Sequence, residues 1–286
     1  MVIVKIWGGL GNQLFQYSFG KYLSAKLNTP VKYDIQVTNS LSSFVQRDLA
    51  LSHFDVHIDI ATEAEVNEKK YFRNIHLARL ERKLAQQFPF LFRQHIVEHN
   101  APGPAGSMHF NDNCYYEGYW QSYNYLTPVE SELRKELTIK QSPGQQVAGL
   151  LAAIHGSPSA GIHVRRSDYL THQHFITCNM QYYEKAIQHL QQISPGIKFY
   201  IFSDDMPWCK ENFTGVEFVF VEGNRHYEDM YLMANCHHNI IANSTFSWWA
   251  AWLNSNPQKI IITPGNWHKK KNEKKNELLP DAWIKK

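Results

Sequence analysis

With 286 residues, 43% of them hydrophobic and 19% charged, the chain has the composition of a globular protein and can bury one large core or two smaller ones. A formal net charge of +3, with no basic stripe interleaved with aromatic residues, excludes a nucleic-acid partner. No window holds about eighteen uninterrupted apolar residues, so no membrane-spanning helix is expected. The four cysteines, Cys114, Cys178, Cys209 and Cys236, are widely spaced and form no C-x-x-C pair. That usage is expected of reduced, buried thiols in a cytoplasmic protein.

The chain opens with an apolar strand over Val2 to Ile6, which is expected to be neither a secretory signal nor an anchor. Gly8-Gly9-Leu10-Gly11-Asn12-Gln13 follows, then a helical pattern through Leu14, Phe15, Phe19, Tyr22 and Leu23. Strand, glycine loop and helix together offer backbone N–H groups to an anion. Leu14 stands where a dinucleotide loop needs Gly, and no G-K-[ST] follows, so neither standard nucleotide signature is met. Thr29-Pro30 ends the helix and Val31 to Tyr33 reads as a second strand. From Glu63 to Gln94 the chain is charged and helix-prone, in the pattern of amphipathic helices covering a core. Ala101 to Ser107 is a Pro/Gly loop.

Tyr115-Tyr116-Glu117-Gly118-Tyr119-Trp120-Gln121-Ser122 is a dense aromatic strand with one carboxylate; it lines either a core or a sugar pocket. Helices are expected from Thr127-Pro128 and from Ser142-Pro143, and Ser157-Pro158-Ser159 reads as the link between two halves. Strands are then predicted at Gly161–Val164, Lys198–Phe202, Glu217–Val221, Asn239–Ala242 and Lys259–Thr263. Helices are predicted near Tyr182–Ile193, Pro207–Phe213, Tyr227–Cys236 and Ser247–Leu253. Such alternation gives a parallel sheet covered on both faces.

Three polar clusters fall at strand ends, where α/β folds bind ligands. His163-Val164-Arg165-Arg166-Ser167-Asp168 ends one strand; its two guanidinium groups suit phosphate or carboxylate oxygens, or Arg166 pairs with Asp168 to close a loop. Strand alternation sends His163 and Arg165 to one side and Arg166 to the other. Asp204-Asp205 ends the next strand, and Asn243 to Trp249 a third, where Ser244, Thr245 and Ser247 either cap a helix or hold a phosphate. Adjacent carboxylates are not a spaced D-x-D pair, and His172, His174, His237 and His238 lack partners at zinc spacing. No metal site is therefore expected. The run His268 to Lys275 reads as a solvated loop, with an anionic membrane surface as its other candidate contact.

Taken together and in this order, Gly8 to Gln16, His163 to Asp168, Phe202 to Asp205 and Asn243 to Trp249 resemble the motifs of the bacterial α-1,2-fucosyltransferases of glycosyltransferase family 11. The resemblance implies an α/β, GT-B-like fold of two facing Rossmann-like domains with the donor cleft between them. We divide these as an acceptor-side domain over residues 1–157 and a GDP-fucose-binding domain over 158–286. It implies metal-independent transfer of L-fucose from GDP-β-L-fucose, with inversion, to the 2-hydroxyl of a terminal galactose, with no cofactor. Lactose, N-acetyllactosamine and a lipid-linked O-antigen unit are the candidate acceptors, and the expected location is the cytoplasm, at most peripheral to the inner membrane. By the same resemblance Arg165 contacts the diphosphate, joined by Arg166 or leaving Arg166 to hold the loop. His163 and Asp204 contact guanine, Ser244, Thr245 and Ser247 hold phosphate oxygens, and Asn12 faces fucose and acceptor. Gln13, Glu117 and Trp120 are candidates for the acceptor side. Asp168 and Glu117 are the candidate bases for the attacking hydroxyl. A protein or non-galactose acceptor, or a non-catalytic GDP-sugar-binding protein, is the alternative reading.

Overall fold

The computed structural model describes residues 1–35, 49–71, 77–98, 109–171, 176–267 and 277–286. It divides into two compact units, residues 1–138 with 276–279 and residues 139–275 with 280–286. The sequence put the boundary after residue 157. It falls after Thr138 because the helix before Ser157 belongs to the second unit and packs on it. The expected loop over 101–107, His172, His174 and the run 268–275 lie outside the described residues.

In the first unit, β1 (Val2–Lys5) leads into α1 (Leu10–Leu27), followed by β2 (Val31–Asp34), α2 (Glu63–Lys69), α3 (Ala78–Gln87), β3 (His95–Val97), β4 (Tyr115–Glu117) and α4 (Glu130–Glu136). The strands form one sheet in the order β2-β1-β4-β3, every pairing parallel. Helix α1 begins after Gly9 and stops at Asn28, whose left-handed backbone (φ 48°) turns its N–H back to Ser24 O. A short polar residue tolerates that conformation better than most. The helix is buried nearly all round, as befits one lying under the unit's aromatic core. There Phe19 stacks face to face on Trp120, ring centroids 4.1 Å apart, while Phe110, Tyr116 and Tyr125 present their edges. The predicted aromatic strand is thus shorter than read: β4 ends at Glu117, and Trp120 turns the chain with φ 53°.

The second unit runs α5 (Gln145–His155), β5 (Ser159–Val164), α6 (Ser167–Thr171), α7 (Met180–Ile193), β6 (Lys198–Ser203), α8 (Met206–Asn212), β7 (Phe218–Phe220), α9 (His226–Asn235), β8 (His238–Ile240), α10 (Thr245–Leu253), β9 (Ile261–Thr263) and β10 (Ile284–Lys285). Its six-stranded parallel sheet has the order β10-β9-β8-β5-β6-β7. Ala160, Ile162, Phe199, Ile201, Ile240 and Tyr183 fill the core beneath its helices. The predicted alternation of strand and helix holds element by element. His237 lies in the loop between α9 and β8, whereas His238 is in a strand, and both are half-buried. His238 opens β8, its Nδ1 accepting the Ile260 N–H (3.0 Å), and His237 Nδ1 lies 2.8 Å from Ser159 Oγ.

Candidate active site

Each sheet has one place where successive connections depart in opposite directions, and there the loops beyond the strand ends diverge to leave a crevice. In the second unit β5 is followed by β6 and β7 on one side, while β8, β9 and β10 lie on the other. The crevice therefore opens between the carboxyl ends of β5 and β8. At and just beyond those strand ends lie His163 to Arg166 and Asn243 to Ser244.

His163 sits at the end of β5 and is almost fully buried, its ring 5.3 Å from that of Phe246 at the start of α10. Its Nδ1 is buried and has no hydrogen-bond partner among the described residues. Burial, and then the neighbouring charge of Arg165, bring its pKa down to about 3, so the ring is neutral at physiological pH. Arg165 emerges just beyond the strand. Its Nη1 lies 3.2 Å from Asp204 Oδ2, and its guanidinium sits 5.6 Å from the Tyr169 ring. Arg166 takes a different partner. Its Nε donates to Asp205 Oδ2 (3.1 Å) and its guanidinium lies 4.1 Å above Trp208.

Register explains why these groups meet. Val164 pairs with Ser203, so the chain leaving β5 is level with the chain leaving β6. Asp204 then accepts the Arg166 N–H (2.9 Å) on Oδ1 and faces Arg165 with Oδ2, while the Ser167 hydroxyl donates to the Asp204 carbonyl. Asp205 both pairs with Arg166 and caps α8, accepting the Trp208 N–H (3.3 Å). The two carboxylates work as arginine holders. Asp168 lies in α6, and its side chain is outside the described residues.

On the β8 side, Asn243 is buried and fastens the turn, its amide donating to the carbonyls of Ile176 and Trp267. Ser244 is the N-cap of α10, yet its side chain makes no capping bond. That helix end is where backbone donors and the helix dipole attract an anion. Ser247 differs from the expectation of a phosphate ligand. It is fully buried and its hydroxyl donates inward to the carbonyls of Ala242 and Ser244, both at 3.3 Å. Its role is to stitch the turn that presents Ser244 and Thr245.

In the first unit the crevice falls between β1 and β4, flanked by Trp7-Gly8-Gly9 and Gly118-Tyr119-Trp120. Gly8 takes φ 82°, and a Cβ there would lie 3.1 Å from Asn12 Nδ2, so glycine lets Asn12 lie close beneath the loop. Asn12 Oδ1 accepts from Gln121 Nε2 (3.0 Å), tying the two loops together. Trp7 and the well-exposed Tyr119 bring their rings to 5.2 Å, with Arg82 beside Trp7.

The three expected acceptor-side residues lie deeper. Gln13 is buried, donating to Gly8 O (2.9 Å) and accepting from Ala50 N–H (2.9 Å), so it braces the loop. Trp120 is fully buried in the aromatic core. Glu117 is buried beneath the crevice, with Oε2 2.9 Å from His95 Nε2 and Oε1 facing Lys5 (3.6 Å) and Arg82 (3.8 Å). Burial alone would raise its pKa, but His95 and these cations bring it down to about 2. A carboxylate so held is a poor proton acceptor. His95 in turn spans Glu117 and the fully buried Glu81, and those two carboxylates outweigh burial to raise its pKa.

Sequence reasoning missed Tyr169, Trp208, Asp205 as an arginine partner, and the Trp7–Tyr119 pair. Only Asp205 carried a signal, as the second carboxylate of the doublet; the aromatic residues are recognisable only from what they touch.

Two parallel α/β units, each with a polar crevice at its topological switch point, give the chain a GT-B-like architecture. The chain belongs to Glycosyl transferase family 11, whose model matches residues 1–286. It is 29% identical over 297 residues to an alpha-1,2-colitosyltransferase of Escherichia coli, covering 100% of this chain and 98% of that protein. It is 30% identical over 302 residues to the O-antigen biosynthesis glycosyltransferase WbnK of the same species, covering 97% of each. Against the galactoside alpha-(1,2)-fucosyltransferase 2 of Rattus norvegicus it is 26% identical over 88% of this chain and 67% of the relative. Among solved structures the fold matches the NodZ alpha-1,6-fucosyltransferase soaked with GDP-fucose, with a TM-score of 0.51, 14% identity, and coverage of 88% of this chain and 91% of that one. It also matches POFUT1 in complex with GDP-fucose, at 0.50, 11%, 93% and 98%. Among the described residues no helix is long and apolar enough to cross a membrane.

Proposed function

We propose that the protein transfers L-fucose from GDP-β-L-fucose to the 2-hydroxyl of a terminal galactose, with inversion and without a metal. The observation that carries this reading is the arginine cluster at the β5/β8 switch point: Arg165 beside a neutral, buried His163, and the start of α10 across the crevice. As the glycosidic bond to GDP breaks, negative charge builds on the departing diphosphate. Fixed guanidinium and helix-end donors stabilise that charge without having to reorganise. Arg165 supplies the principal contact, Ser244 and Thr245 the helix-end contacts, and His163 with Asp204 the guanine contacts. The Asp204 and Asp205 carboxylates are each engaged by an arginine, which favours a metal-free mechanism over one that would recruit them as ligands.

The proton of the attacking hydroxyl goes to Asp168, the carboxylate left to this role once Glu117 is committed to its buried network. Asn12 orients the sugars, and the Trp7–Tyr119 pair stacks on the acceptor, a galactoside of the O-antigen kind. Four buried, unpaired cysteines support a reducing, cytoplasmic setting.

A second donor is favoured by the full-length similarity to the colitosyltransferase: GDP-colitose, whose sugar is fucose without its 3-hydroxyl. The test is GDP release from GDP-fucose and from GDP-colitose in excess EDTA, with and without lactose, followed by linkage analysis. Acceptor-dependent release yielding a 2-linked fucose bears the proposal out. Release from GDP-colitose alone selects the second donor, and loss of activity in EDTA that a divalent ion restores refutes the metal-free mechanism.

A further inference from the structure

The surface of the first unit carries an apolar patch that the transfer reaction does not use. Eleven large hydrophobic side chains stand exposed among the described residues, and six of them, Tyr71, Leu77, Leu80, Phe88, Phe90 and Leu91, come from one short stretch around α3. Leu77, Leu80, Leu84 and Phe88 recur at helical spacing, so they form a stripe along one shoulder of α3 that continues into the turn beyond it. There Phe90 is 66% exposed, its ring 6.2 Å from and perpendicular to that of Phe88. Beside the stripe, α3 is seated on a small buried cluster, Ala85, Phe92 and Val97, which Leu84 also packs against. Contiguous apolar surface of this kind marks a contact site.

Charge selects the partner. Residues 69–93 contain seven lysines and arginines and a single acid, Glu81, and of the cations Lys69 is buried against Glu68 and Asn113 and Lys70 lies over the Tyr115 ring. This stretch is therefore more positive than the whole chain, whose net charge is +3, and the rest is on balance acidic. Glu81 is fully buried against His95, so no carboxylate of the stretch faces outward, whereas Lys83 and Arg93 stand exposed beside the patch. Phenylalanine and leucine on one face with lysine and arginine at its border is the pattern of a helix that lies in the headgroup layer of an anionic bilayer.

We infer that α3 and the Phe88–Leu91 turn form a membrane-docking surface that seats the first unit on an anionic lipid bilayer. Phe90 and Leu91 enter the acyl boundary, and Lys83 and Arg93 meet the lipid phosphates. The inference does not depend on the identity of the donor sugar.

The experiment is flotation of the full chain with vesicles of equal parts phosphatidylglycerol and phosphatidylcholine, and with vesicles of phosphatidylcholine alone. The expected result is co-flotation with the anionic vesicles only, weakening from about 0.05 to about 0.5 M salt as the charges are screened. A Phe90→Ser/Leu91→Ser variant is expected to lose at least about tenfold in partitioning. A Lys83→Glu/Arg93→Glu variant is expected to lose roughly a thousandfold, as two attractions become repulsions. Both variants change exposed side chains and should keep the wild-type Tm. No flotation of the wild type overturns the inference, as does flotation that both variants retain, which would point to another surface such as the basic run 268–275. Concentration-dependent dimerisation abolished by Phe90→Ser, without vesicle binding, would instead make the patch a self-association surface.

Discussion

Replacing Arg165 by alanine separates chemistry from folding in the proposed donor site. The side chain is about a quarter exposed, so its ion pair with Asp204 at 3.2 Å and its cation–π contact with Tyr169 at 5.6 Å are both partly solvated. Partly solvated contacts of this kind are each worth no more than about 1 kcal/mol, so Tm should fall by only a few degrees. The reaction loses more. One preorganised donor facing the departing diphosphate contributes roughly a hundred- to a thousandfold in rate, or about 3–4 kcal/mol of transition-state stabilisation. Steady-state GDP release from GDP-fucose with a saturating galactoside should therefore drop by that factor in kcat/KM, with weakened GDP binding by calorimetry. Arg165→Lys should recover part of the rate but not the bidentate fit. Turnover within a few-fold of wild type at unchanged Tm would refute the donor-site assignment. A loss of turnover matched by loss of the fold would show that Arg165 is structural.

The buried ionisable groups predict how stability follows pH. His163 stays neutral in the folded protein down to about pH 3 while its unfolded form takes up a proton below about 6.5, so stability should fall as pH drops through that window, by about 1.4 kcal/mol per unit. Glu117, held at about 2, adds a second acid loss below about pH 4.5. His95 has the opposite sign: its raised pKa stabilises fully below about 6.5, and that contribution is lost as pH rises through its folded value. Urea midpoints across pH should show both limbs, with His95→Gln losing the alkaline one; an unchanged alkaline limb would rule out this role. Trp120→Ala, which empties the stack on Phe19, should cost about 3–5 kcal/mol in denaturant unfolding. A cost below about 1 kcal/mol would return Trp120 to the list of acceptor contacts.

Much of the second unit was legible in the linear chain. Parallel strands buried on both faces show as short β-branched and aromatic runs, and the helices between them keep a 3.6-residue period. The alternation therefore survives without tertiary knowledge. The polar clusters at the strand ends were legible for the same reason: polar residues crowd there, where an α/β fold binds ligands. Arg165 and Arg166 take different carboxylates, Asp204 and Asp205.

What only the tertiary structure decided was which polar and aromatic side chains are spent on holding others. Ser247 and Ser244 look alike in sequence, yet the helical turn sends one hydroxyl inward to Ala242 and leaves the other at the cap without a capping bond. Glu117 and Trp120 share an aromatic run with Tyr119. A strand that ends at Glu117 and a left-handed turn at Trp120 bury those two and leave Tyr119 outside. Glu81 and His95 become a buried partner set for Glu117 because parallel pairing brings His95 level with β4 and α3 packs beside it. Sequence records a side chain's chemistry and its local period. Whether that chemistry faces a ligand or another residue depends on contacts between segments distant along the chain, and only the fold brings those segments together.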